Sequence, residues 1–177
     1  MKQEGAKRIT IKTIEALVHK MGKTINAKTI DLPKFRYSGD FAFPYVEVND
    51  KGLHYVIAER GEEIRRDTTN NLDDLLYIIF KDVAFNIAAR YELANRIPDS
   101  DPRRQIFAMW KEILEKLNFN WGKNIQIELN KILSEYPFDD FAQKRGDLCN
   151  EYRKNGLSNA EAWAKACEKY PLPKPSI

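Results

Sequence analysis

The chain has 177 residues, of which 43% are hydrophobic and 31% charged, and a formal net charge of +3. That length suits one domain, or one domain with an extension, and can bury a real core without disulfide or metal staples. Its two cysteines, Cys149 and Cys167, lack metal-ligand spacing and its two histidines, His19 and His54, lie far apart, so a His/Cys metal centre is nearly excluded.

The thiols read as helix-face residues of a reducing compartment. The N-terminal stretch KRITIKTIEALVHK alternates charged and apolar residues without an uninterrupted apolar run, so no signal peptide is expected and a cytoplasmic location follows. Charge is unevenly spread. Residues 1–36 hold nine Lys/Arg against three Asp/Glu, residues 37–101 seven against thirteen, and residues 102–177 thirteen against ten. The middle third is an acidic island between basic flanks, and charge of one sign gathered on a surface attracts partners of the other. A merely solvated surface is the competing reading.

In chain order, Ile11, Ile14, Leu17, Val18 and Met21 predict a short amphipathic helix over 8–21 with a basic outer face, ended by Gly22 as its C-cap. Residues 23–43, punctuated by Pro33 and Gly39, read as irregular or partly extended. Alternation over 44–49 and again over 53–60, with Asp50-Lys51-Gly52 between, predicts a hairpin with a three-residue turn. Arg60-Gly61-Glu62 turns the chain into a third, charged strand over 63–67, suited to a sheet edge. One face of this sheet is expected to pack on the next element.

That element, Asn71 to Arg96, carries the strongest pattern in the sequence. Thr68-Thr69-Asn70-Asn71 supplies capping acceptors, Asp73 and Asp74 suit the positive end of a helix dipole, and Leu72, Leu75, Leu76, Ile79, Val83, Ile87 and Tyr91 recur at helical steps. Ile78, Phe80, Ala84, Phe85, Ala88 and Ala89 widen the stripe, as in a helix covered on several sides. Lys81, Asp82, Asn86 and Arg90 interrupt it, so it is no membrane span. Asp101 as cap and Pro102 as first residue open a helix over about 102–118, another follows over about 120–135 up to Pro137, and weaker helices are expected near 138–154 and 159–169. The Pro171–Pro175 tail reads as extended and mobile. The fold class is therefore α+β: a small antiparallel β-meander packed on a long central helix, followed by an α-helical C-terminal half. Residues 1–136 form one domain and residues 137–177 a helical extension packed on it.

Catalytic signatures are missing. The sequence has no GxGxxG, GxxxxGK, HExxH or CxxC motif, and His54 in its strand has no visible triad partner, so a structural role is favoured over a general base. Asp73 and Asp74 point about 100° apart on a helix and Asp82 is over two turns on, which speaks for capping rather than a magnesium cluster. Glu92 and Arg96 have the spacing of a helix-surface ion pair. Asp99, Asp101, Arg103 and Arg104 form a mixed-charge knuckle that suits either an anion site or an Asp–Arg latch between helices, the latch being favoured. No enzymatic activity and no cofactor are expected.

Three blocks of sequence, FAFPYVEVNDKGLHYVIAERGEE (Phe41 to Glu63), TTNNLDDLLYIIFKDVAF (Thr68 to Phe85) and RYELANRIPDSDPRRQIFA (Arg90 to Ala108), taken in this order, resemble the bacterial immunity proteins of polymorphic toxin systems, specifically immunity protein 63. The likeness covers Gly39 to about Leu117, less than half the chain. It implies a small cytoplasmic, non-catalytic protein that binds and neutralises a cognate toxin domain, and it assigns no binding residues.

Independently, an inhibitor needs a rigid scaffold and a complementary surface rather than a reactive centre. Basic nucleases are one toxin class that an acidic patch matches by charge. The expected partner-binding residues are Tyr45 as an aromatic anchor with Glu47, Glu59, Glu62, Glu63 and Asp67 around the sheet, and Asp73 and Asp74 at the helix start. The alternative is a nucleic-acid-binding or regulatory module using the basic N-terminal and C-terminal helices, whose affinity would fall steeply with salt.

Overall fold

A computed structural model describes residues 9–37 and 41–174. The first helix, α1 (Ile11–Thr24), begins where the Thr10 hydroxyl accepts the Thr13 amide at 3.2 Å. It continues past the expected stop. Gly22 lies inside α1 and buried, where a Cβ would sit 3.1 Å from Leu32 Cδ2, and the chain turns instead at Asn26 with φ 56°. This glycine serves close packing, which a sequence pattern cannot distinguish from helix termination.

Residues expected to be irregular carry a 3₁₀ turn at Thr29–Asp31 and a two-residue strand, β1 (Lys34–Phe35). Three longer strands follow: β2 (Tyr45–Asn49), β3 (Gly52–Glu59) and β4 (Glu62–Thr69). The sheet order is β1-β2-β3-β4, with β1 parallel to β2 and the rest the antiparallel meander. The first hairpin loop has two residues, Asp50-Lys51, because Gly52 already pairs with Asn49. Gly52 has φ +137°, and a Cβ there would lie 2.8 Å from the Thr69 carbonyl oxygen, so the register depends on glycine. β4 is an edge strand as expected, and a bulge at Ile64 separates the Ile57–Arg65 and Ala58–Glu63 pairs.

Alternation assigns the two faces of the sheet. Val46, Val48, Leu53, Tyr55 and Ile57 join the core on one face, against α2 (Leu72–Ala94). Tyr45, Glu47, His54, Val56 and Arg66 share the other. Asn71 caps α2 by accepting the Asp73 amide at 2.8 Å, and the helix buries Leu75, Leu76, Ile79, Phe80, Val83, Ala84 and Ala88. At 23 residues α2 is about 34 Å long and crosses the domain.

α3 (Arg103–Leu117) and α4 (Phe119–Glu135) pack on α2 and on each other. Pro102 has helical dihedrals and the Asp101 carboxylate accepts the Arg103 amide at 2.9 Å, so Asp101 does cap this helix. Trp121 stands against Phe80 and Tyr77, and the Trp110 indole donates to the Lys81 carbonyl at 2.9 Å. α5 (Ala142–Lys154) and α6 (Asn159–Lys169) form a helical hairpin, α6 starting with a Ser158–Glu161 capping box. No described residue of α5 or α6 belongs to the main core. The hairpin buries Ala162 and Ala166 and encloses Arg145, which lies 5.6 Å from the Trp163 ring centroid. The tail from 171 to 174 has no regular structure, and Pro175 lies outside the described residues.

Candidate partner-binding surface

The acidic third of the chain does not form one patch, because much of it is neutralised from within. On the outer sheet face Arg66 lies between two expected binding residues. Its Nε donates to Glu63 Oε2 at 2.8 Å, and Nη2 reaches Glu47 Oε2 at 3.3 Å and the other Glu63 oxygen. These hydrogen bonds hold the Glu63 carboxyl below its usual range and push the guanidinium up. Tyr45 lies on the same face, its phenol pushed up by burial and then by the Glu63 charge.

A second set of bonds stiffens this face. Asn49 donates to Glu47 at 2.7 Å, and its Oδ1 accepts the Lys51 amide at 2.8 Å. Oδ1 also meets His54 Nε2 at 2.8 Å, and since Oδ1 can only accept, Nε2 carries a proton there. His54 Nδ1 faces the Thr68 hydroxyl at 2.9 Å. His54 is only 2% exposed and clamps β2, β3 and β4 together, the structural role expected of it.

The β3–β4 hairpin end differs. Glu59 and Glu62 are exposed and directly opposed across the strands, and neither has an ion-pair partner among the described residues. Like charges facing each other destabilise a hairpin, which favours a cationic partner at this end.

The remaining expected residues lie elsewhere. Asp67 is on the inner face, half-buried, 2.6 Å from Arg65 Nε, while Arg65 also donates to Asp82 at 2.8 Å. Asp73 and Asp74 are at the other end of β4, seven strand steps and about 23 Å from Glu62. Asp73 accepts from the Trp121 indole at 3.2 Å and Asn118 at 3.4 Å, tying α2 to α4, and Asp74 accepts from the Thr69 hydroxyl at 3.3 Å. The structure thus gathers Tyr45, Glu47 and Glu63 on the sheet face, places Glu59 and Glu62 at its tip, and separates the other three.

The Asp–Arg knuckle is a latch. Arg103 donates to the carbonyls of Tyr136 and Pro137 at 2.9 and 2.8 Å as well as to Asp101, and Arg104 grips Asp140 through two 2.8 Å bonds. Asp101 accepts the Asp139 amide and its own amide donates to Asp140, both at 2.8 Å. Lys144 meets Asp99 at 2.9 Å and Arg145 meets Asp139. The guanidinium groups are thereby committed to the chain leading into α5. Glu92 also differs from a surface pair: its side chain is 3% exposed, and Arg96 covers it through bonds of 2.8 and 3.1 Å.

Sequence reasoning missed a groove of about 740 Å³ between α1 and β1, with Phe35, Tyr37, Phe41 and Phe43 among its walls. The alternating aromatics Phe35, Tyr37, Phe41 and Phe43 were the available signal, obscured because Ser38-Gly39-Asp40, residue types that favour loops, interrupt them and Pro33 and Pro44 flank them. Among the described residues, no three His, Cys, Asp or Glu side chains converge as metal ligands, and no helix is long and apolar enough to cross a membrane.

Residues 49–131 match the model of the family described as Immunity protein 63. No curated protein and no solved structure matches the chain significantly. The resemblance read from the three sequence blocks therefore holds over the β2–β3 turn through most of α4, just under half of the chain. It leaves out α1, β1, all of β2 but Asn49, and the α5–α6 hairpin.

Proposed function

We propose that this chain is a non-catalytic immunity protein that binds and neutralises a cognate toxin domain in the bacterial cytoplasm. The observation that carries the reading is the Immunity protein 63 match, which falls on the β3–β4 hairpin and on α2, α3 and most of α4. The contact surface is the outer sheet face with the β3–β4 hairpin end, where Tyr45, Glu47 and Glu63 surround Arg66 and the Glu59–Glu62 pair projects. A basic toxin domain, such as a nuclease, would relieve the repulsion of that pair on docking, adding attraction on top of charge steering. Asp67 and Asp73 support this surface through the fold, Asp67 beneath the sheet and Asp73 through Trp121.

The test is rescue. Co-expression with the toxin domain encoded beside this chain is expected to restore growth, and Glu59→Lys with Glu62→Lys is expected to slow association and weaken binding by roughly tenfold or more. Binding kinetics at two salt concentrations measure this. Equal affinity and equal salt dependence in the double variant remove the hairpin end from the interface, while a complex that never forms with the wild-type chain defeats the immunity reading itself.

A further inference from the structure

The geometry points to a second docking element: the groove between α1 and β1 takes an acidic segment of a partner polypeptide that carries a large apolar or aromatic anchor side chain. This deepens the binding reading given above and rests on it, but on different residues. The groove is open to solvent and holds about 740 Å³, within the size range of ligand clefts. Two of its aromatic walls face solvent strongly, Tyr37 at 63% and Phe41 at 87% exposure, and Ile30 beside them is 71% exposed. Exposed aromatic clusters around a concavity are where binding energy concentrates.

The charge around it selects the occupant. Lys34 Nζ lies 5.5 Å from the ring centroids of both Tyr37 and Phe43, which sets a cation into the aromatic wall. On α1, Glu15 and His19 line the groove, and Lys12 and Lys23 stand one turn before and one turn after them on the same helix face. Glu15 is already paired with Arg36 at 3.4 Å. Lys12, Lys23 and Lys28 are exposed and have no ion-pair partner among the described residues. Among the described residues, Lys34 is thus the unpaired charge that lines the groove, Lys12 and Lys23 flank it along α1, and carboxylates flanking an apolar anchor complement them. The groove also opens beside the acidic hairpin, since the Ala42 amide next to Phe41 donates to the Ala58 carbonyl at 3.0 Å.

Panning a phage-displayed library of random linear peptides on the immobilised full chain tests this. Enriched peptides are expected to carry Trp, Phe or Leu flanked by Asp or Glu, and to bind Tyr37→Ala/Phe41→Ala about tenfold or more weakly. These exposed positions leave the core intact. Lys34→Glu is expected to shift selection away from acidic flanks. No enrichment, enrichment of neutral or basic peptides, or undiminished binding to the double variant overturns the proposal. None of these outcomes bears on toxin rescue, which reports on the immunity reading separately.

Discussion

The junction between α4 and α5 depends on one carboxylate. Asp101 is 6% exposed and accepts from the Arg103 amide at 2.9 Å, the Asp139 amide at 2.8 Å and the Arg103 guanidinium at 2.6 to 3.1 Å. Asp101→Ala leaves two amides without their charged acceptor and a guanidinium with only carbonyl partners. Hydrogen bonds to a charged group contribute about 1.5–3 kcal/mol each. The Arg103 side chain is 30% exposed and recovers much of its share from water. The net loss is thus about 2–4 kcal/mol, most of it from the amides. The Arg103 amide belongs to the first turn of α3 and the Asp139 amide to the lead into α5, and because α5 and α6 share no described residue with the core, the loss falls on that turn and on the α5–α6 unit. Hydrogen exchange followed by mass spectrometry is expected to show amides of α5 and α6 exchanging about 10- to 100-fold faster, from the one charged bond of about 1.5–3 kcal/mol lost on their side, with α2 unchanged. Exchange in α5–α6 within about threefold of wild type, or equal acceleration in α2, would refute the assignment of this carboxylate as the local latch.

The same latch predicts an acid response. Arg104, and then the Asp101 amide, hold the Asp140 carboxyl down to about 2; at Asp101 burial works upward, but the Arg103 bonds and the Asp139 amide outweigh it and keep it below its usual value. Both folded-state values are depressed, so the latch contributes fully above the unfolded carboxylate value near pH ~4 and weakens as pH falls towards ~2. Exchange in α5–α6, corrected for intrinsic rates, is expected to rise in that window before α2 opens; simultaneous opening counts against a separate latch. At the α3–α4 crossing, Gly122→Ala places a Cβ 2.6 Å from Glu115 Cβ and 3.0 Å from its Cα. Overpacking of about 1–3 kcal/mol exceeds the roughly 1 kcal/mol that alanine gains in helix propensity, so the urea midpoint is expected to fall. A raised midpoint shows that the crossing yields more easily than its geometry suggests.

The elements were largely legible because their causes are local. Helical spacing and caps placed α2 through α6 within a few residues, and strand alternation with a glycine turn placed the meander. Where one residue type suits two purposes, local pattern does not decide: a glycine near a helix end suits termination, but Gly22 makes room for Leu32. β1 escaped because two residues cannot show a period, and its pairing to β2 is set by tertiary contact.

What the sequence by itself determined is the α+β class, the central helix, the lack of catalytic motifs and the family likeness, all of which rest on order and spacing along the chain. Which charges remain available was decided only by the tertiary structure. Arg66 reaches Glu47 across 19 positions, Lys81 reaches Glu128 across 47 and Arg90 reaches Asp31 across 59, the last through bonds of 2.8 and 2.9 Å. A count of acidic residues cannot see such partners, since a carboxylate's availability depends on what folding brings within about 4 Å of it. By that criterion Glu47, Glu63, Asp67, Asp82, Glu92, Asp99 and Asp101 are held by cations of this chain, while at the sheet's tip the facing pair Glu59 and Glu62 has no ion-pair partner among the described residues.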